Sequence, residues 1–254
     1  MDDNLKSAIK QAGGWPELRE LIRQIDPGSL QARDVTVIQR TLAKCEGKAD
    51  LRIAYLGDHT LDVLPKYVEV TSAMQGIRVA SYVGPYGQYF QEVLDPNSEL
   101  HAFAPDLILL SLTPRKQLPD ICGRFLELAT QDKIQEKDRI LAHINEWIDA
   151  ARGMTDASLL VTNFIHPPHH QAGIADARLE FSEARWYADF NQELQNAHRQ
   201  DPRVNIVDIN QVAASYGIAR TYDAKMYYLA RMEWSEGFLS ALACLLYTSP
   251  SPRD

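Results

Sequence analysis

The chain has 254 residues with 26 lysines and arginines against 34 aspartates and glutamates; a formal net charge of −8 without a basic patch argues against a nucleic-acid partner. At 45% hydrophobic and 24% charged residues it can bury a sizeable core, which excludes disorder as the default, and its length suits one large α/β domain with a modest extra element. No run approaches the roughly 20 apolar residues of a membrane span, and the acidic start MDDNLKSAIKQAGG has no apolar signal core.

Asn4–Cys45 reads as a helical preface. Leu5, Ile9 and Ala12 share one face, and Leu18, Leu21, Ile22 and Ile25 another. Trp15-Pro16 suits a helix start, Asp26-Pro-Gly-Ser a turn, and Val35–Lys44 a third helix. The organising stretch follows. Leu51–Leu56 is an apolar run interrupted by Arg52; it breaks at Gly57 into Asp58, His59 and Thr60, before a helix over Leu61–Met74 with Gly76 as its cap. A buried parallel strand delivers side chains to a crevice in this way. Ile77–Val83 is the second strand, followed by the punctuated loop Gly84-Pro-Tyr-Gly87, a helix over Gln88–Leu94 and an Asp95-Pro-Asn-Ser turn. Asp106–Leu112 is the third strand.

Helices are predicted over Pro119–Thr130 and Lys133–Arg152, the second with an apolar stripe of Ile140, Ile144, Trp147 and Ile148. Ala157–Ile165 is the fourth strand, and the loop His166-Pro-Pro-His-His170 follows it. A long helix over Leu179–Arg199 leads to the fifth strand, Arg203–Ile209. Gln211–Tyr216, a loop through Asp223, and a last helix over about Ser235–Ala243 complete the pattern. Alternating strands and helices predict a parallel, doubly wound α/β sheet with right-handed crossovers. The end, CLLYTSPSPRD, breaks into Ser, Pro and Arg and resembles an adapter-derived tail, so Cys244–Asp254 is set apart from the fold. Cys45, Cys122 and Cys244 are scattered and odd in number, which predicts a reducing, cytoplasmic setting with free thiols.

The strand-end groups carry two readings each. Asp58 or Thr60 would cap the following helix, or His59 would hold an anion at its N-terminus. Asn163 would be an oxyanion donor, or a buried amide bonded to a loop. His166, His169 and His170 with Asp176 would need to converge to hold a metal; their spacing is not a helical pair, and a solvated loop is the plainer expectation.

Four blocks taken together resemble one family: LGDHTLDVL at 56–64, Gly84-Pro-Tyr-Gly-Gln-Tyr-Phe-Gln-Glu-Val-Leu-Asp-Pro-Asn-Ser98, FAPDLILLSL at 103–112, and Tyr222-Asp-Ala-Lys-Met-Tyr-Tyr-Leu-Ala-Arg-Met232 with Ser235-Glu236. They resemble the N-terminal region of FkbH-like proteins of the haloacid dehalogenase (HAD) superfamily, subfamily IIIC. The resemblance implies a three-layer α/β/α domain like the SGNH/GDSL hydrolases and flavodoxin, with a five-stranded parallel sheet over residues 49–243, behind a helical region at 1–48. It also implies a following HAD domain that holds magnesium and loads a glyceryl unit onto an acyl carrier protein for polyketide extender units. That domain's Asp-x-Asp-x-Thr/Val string has no match here, so its chemistry and its magnesium are expected outside this fragment, and no cofactor within it. Acyl carrier protein and the HAD domain are the expected partners, with no nucleic acid and no membrane.

SGNH hydrolases place a nucleophilic Ser after the first strand, a Gly after the second, an Asn after the third, and an Asp-x-x-His near the C-terminus. Here Gly57-Asp58 fits, His59 stands at the Ser position, and Thr60 is the nearest hydroxyl. Gly84 or Gly87 can serve as the glycine. Ser111-Leu-Thr113 replaces the Asn, and Asp223 is followed by Met226 where the base would stand. The resemblance therefore implies a degenerate hydrolase fold that positions a carrier or acyl substrate. The alternative is an active esterase or thioesterase with an altered site. In either case Asp58, His59, Thr60, Asn163 and His166 are the candidate catalytic residues, and Gly57, Gly84, Tyr86, Gly87, Ser111 and Thr113 the candidate substrate contacts.

Overall fold

The computed structural model describes residues 1–26 and 29–247. Pro27 and Gly28 of the expected turn and residues 248–254 of the expected tail lie outside the described residues. Three helices come first, α1 (Asp3–Gln11), α2 (Trp15–Ile22) and α3 (Ala32–Leu42). Then follow β1 (Leu51–Gly57), α4 (Leu64–Met74), β2 (Val79–Val83), α5 (Tyr89–Leu94), α6 (Glu99–Phe103) and β3 (Leu107–Ser111). The second half runs α7 (Pro114–Gln117), α8 (Pro119–Arg124), α9 (Thr130–Met154), β4 (Ser158–Thr162), α10 (Glu183–His198), β5 (Val204–Val207), α11 (Ile209–Tyr216), α12 (Ala224–Ala230) and α13 (Glu236–Tyr247).

The five strands form one parallel sheet in the order β2-β1-β3-β4-β5. The chain reverses its winding direction between β1 and β3, and a crevice opens beyond the strand tips at such a point. Alternation along each strand divides the core in two. Ile53, Tyr55, Leu107 and Leu109 face one layer with α4, α11 and α13, while Ala54, Leu56, Ile108 and Leu110 face another with α8, α9 and α10. Both sheet faces are covered, which is why the strands read as unbroken apolar runs. The N-terminal helices join the first layer: Ile9, Leu18, Ile22, Val35 and Ile38 are buried in the same cluster as Leu64 and Val68 of α4. Among the described residues no helix is long and apolar enough to cross a membrane.

Every predicted strand is present, each trimmed at one or both ends except the first, which gains Gly57. Leu112 is apolar because it is buried just past the end of the ladder. The helix expected from Leu61 starts at Leu64, with Pro65 in its first turn. The helix expected from Leu179 starts at Glu183, because Ser182 caps it by accepting the Arg185 amide at 3.2 Å. Pro119–Thr130 divides: α8 ends at Arg124, Phe125–Glu127 tightens into a 3₁₀ turn, and Thr130 already belongs to α9. The short helices α6, α7 and α12 escape a periodicity reading because none spans two full turns. The last helix does not stop at Ala243. It continues through Tyr247, and Leu246 carries its apolar stripe into the core.

Candidate functional site

The tips of β1, β2 and β3 are laced together by backbone. Gly57 pairs with Ser111 across the ladder, and a Cβ at Gly57 would run into the Ser111 carbonyl oxygen, so only glycine fits. The Gly84 amide donates to the Tyr55 carbonyl at 2.9 Å and the Gly87 amide to the Gly57 carbonyl at 3.0 Å. Gly87 has φ +71°, the left-handed conformation its turn requires.

Asp58 is the hub. Its buried carboxylate accepts the Thr113 amide at 3.1 Å, the Thr113 hydroxyl at 3.2 Å and the Gln117 side-chain amide at 2.8 Å. It thereby ties the β1 tip to the β3 tip and to α7. The expectation that Asp58 or Thr60 caps the next helix is corrected: the cap position of α4 is Val63, with no side-chain bond. Thr60 instead reaches across the chain, its hydroxyl donating to the Ala230 carbonyl at 2.6 Å and its amide to the Arg231 carbonyl at 3.0 Å.

Those bonds hold the segment after α12 over the β1 tip. His59 lies beneath it, its side chain 3% exposed, with Nδ1 3.3 Å from Asp58 Oδ1 and the ring edge-on to Trp234 at 4.8 Å. His59 Nε2 and Glu233 Oε2 are both buried without a partner. Glu233 Oε1 lies 3.6 Å from the Arg115 guanidinium, which sits over the rings of Tyr222 (4.7 Å) and Tyr227 (5.1 Å). Burial pushes the Glu233 carboxyl above the usual carboxylate range, against the pull of Arg115 and His59. A carboxyl raised on folding favours the folded state when protonated. That contribution is complete below the unfolded-state value and is lost as pH rises through the folded-state value. Glu233→Gln is therefore expected to raise Tm over the wild type near pH 7 and to lose that advantage near pH 4. Thermal melts at both pH values check this, and an advantage that grows on acidification would contradict it.

The remaining candidates lie on the β4 side. Asn163 is a buried amide bonded inside the fold: Nδ2 donates to Asp208 Oδ1 at 2.8 Å, and Oδ1 accepts the Asn210 amide at 3.2 Å. The His166 amide donates to Asn210 at 3.0 Å, and its ring tilts against Tyr187 at 5.8 Å. Burial, with a neighbouring His170, pushes the His166 imidazole below its ordinary value. His170 faces Asp176 at 3.6 Å. Among the described residues no three His, Cys, Asp or Glu side chains converge as metal ligands. Ser111 is fully buried and accepts the Thr162 hydroxyl at 3.4 Å.

Of the sequence-predicted residues, all but Asp58, Gly87 and Ser111 line two depressions. One, of about 250 Å³, holds Gly57, His59, Thr60, Gly84 and the half-exposed Tyr86. The other, of about 460 Å³, holds Thr113, Asn163 and His166 with Arg115, Glu233 and Trp234. The His59 ring on the first packs against Trp234 on the second. Arg115, Gln117 and Glu233 were not singled out in the sequence. The signal available was position: Pro114-Arg-Lys-Gln117 directly follows a strand tip, where the sheet delivers side chains to its crevice.

The model of the family described as "FkbH, N-terminal domain" matches residues 52–246. No curated protein matches the chain. Among solved structures, the chain is similar to the N-terminal part of the protein BF1531 from Bacteroides fragilis, described as containing a phosphatase domain complexed with Mg, with TM-score 0.63 and 18% identity over 93% of this chain. It spans about half of that structure, 55% of its length. It is also similar to the lipase Lip_vut3 from a goat rumen metagenome, with TM-score 0.57 and 13% identity, covering 77% of this chain and 95% of the lipase. At these identities the likeness is one of fold, a parallel α/β sheet with helices on both faces. With the family match running from the first strand into the last helix, the chain belongs to the FkbH N-terminal domain family.

Proposed function

We propose that this domain is a degenerate SGNH fold that holds an acyl carrier protein and its acyl group for a HAD-type partner domain, rather than hydrolysing an ester itself. One observation carries the reading: the hydroxyls and the oxyanion-type donors at the strand tips are already engaged inside the chain. The Thr60 and Thr113 hydroxyls donate to Ala230 and Asp58, and Ser111 is sealed beneath the strand tips. The Gly84, Gly87 and Thr113 amides and the Asn163 side chain are donors to Tyr55, Gly57, Asp58 and Asp208. An oxyanion hole needs donors aimed at developing charge, and donors satisfied within the fold have none to offer without breaking it.

Family membership supports acyl-carrier-dependent biosynthesis, with glyceryl or polyketide extender units as the cargo class. A magnesium-dependent HAD domain would supply the phosphoryl chemistry with an aspartyl nucleophile of its own, Asp58 at the β1 tip here being engaged by Thr113 and Gln117. The 460 Å³ groove, with Phe164 and Trp234 on its wall and Arg115 among its polar groups, would accept the arm of a loaded carrier. The test is retention of a holo-acyl carrier protein on immobilised domain, with the thioester of the loaded form followed in parallel. Retention with an intact thioester is expected. Thioester hydrolysis lost on His59→Ala or Thr60→Ala would establish the esterase instead.

A further inference from the structure

Beside the larger groove, which Arg115 and Tyr222 line, two segments differ in charge from the rest of the molecule. Arg115 and Lys116 on α7, Arg220, Lys225 on α12 and Arg231 are all exposed, against Asp223 alone in the stretches 114–116 and 220–231. The whole chain carries −8. The two segments meet at one ring: the Arg115 and Arg231 guanidiniums lie over Tyr227 at 5.1 and 5.3 Å. Beside them Tyr228 and Leu229 project from α12, 76% and 72% exposed, although no residue of that helix is buried. Thr60 fixes the end of α12 to the β1 tip, so the face is held in register with the groove mouth.

From this we infer that the α7–α12 rim is the docking face for an acidic carrier protein, with Lys116, Lys225 and Arg231 supplying the attraction and Tyr228 and Leu229 the apolar centre. The inference rests on the carrier-binding reading above and adds where the partner sits. A negatively charged partner is repelled by an acidic surface and drawn to a basic rim, which steers encounter and fixes orientation. Arg115, part-way down the same wall, is placed to meet the phosphate of the carrier's prosthetic arm, because a guanidinium offers paired donors to phosphate oxygens.

Anisotropy of a fluorescently labelled acidic holo-acyl carrier protein, titrated with full-length domain, tests this. Lys116→Glu with Arg231→Glu is expected to weaken binding by about tenfold or more, and added salt should weaken the wild type in the same direction. Lys225→Glu alone serves as a second probe should the double variant unfold, which thermal melts would report. Arg199→Glu, at the opposite end of the sheet, should leave binding unchanged. Carrier binding by the wild type that is indifferent to both rim variants overturns the docking face while leaving the carrier reading intact. No binding by the wild type overturns both. A concentration-dependent dimer that Arg231→Glu dissolves assigns the face to a second copy of the chain and also overturns it.

Discussion

Asp58→Ala is expected to cost about 3–5 kcal/mol of folding stability. The carboxylate is buried and accepts the Thr113 amide, the Thr113 hydroxyl and the Gln117 side chain, so its removal leaves three donors facing an emptied site. Each unsatisfied buried donor carries a desolvation cost of roughly 1–3 kcal/mol, partly relieved where water enters. For a chain of this size the loss corresponds to a fall in Tm of roughly 10 °C or more. Asp58→Asn keeps the volume and one acceptor, and should recover about half. Circular-dichroism melts of the two variants decide it. A loss below about 1 kcal/mol for alanine would mean that Asp58 is not what holds the β1 and β3 tips together.

Gly57→Ala should be nearly as damaging despite adding a single methyl. The new Cβ meets the Ser111 carbonyl oxygen, and that oxygen belongs to a central strand that cannot move without disturbing the whole ladder. Overpacking of this kind costs about 1–3 kcal/mol where side chains can yield, and backbone against backbone puts this site at the upper end. Gly87→Ala is the informative contrast. There a Cβ meets nothing, and only the left-handed φ of +71° resists it. Its cost should be about 1 kcal/mol. If Gly57→Ala proves as mild as Gly87→Ala, close packing is not the reason for glycine at the first strand tip.

The sheet was legible because parallel strands covered on both faces must be apolar throughout, and because Gly57 and Gly84 punctuate their ends. The helices that packing alone defines were legible too, through stripes such as Ile140, Ile144 and Trp147, all buried against the sheet. The short α12 was not: Ala224–Ala230 buries no residue, so it has no stripe to read. The site was legible in position and not in role. Asp58 finds its partners 55 and 59 residues away, and Thr60 finds Ala230 at a separation of 170. Local reasoning offered one or the other as a cap on the nearest helix, beside a catalytic role for each. It had no means of anticipating that a tertiary contact would claim them first, or that Glu233 and Arg115 would be brought beside His59.

Labelling with a fluorophosphonate, which adds covalently to an activated hydroxyl, tests the degenerate-site account most directly. Intact-protein mass spectrometry after incubation should show unmodified domain only, because Thr60, Thr113 and Ser111 are bonded or sealed at the strand tips. A stoichiometric adduct on any of the three, abolished by His59→Ala, would show a working nucleophile and overturn the account.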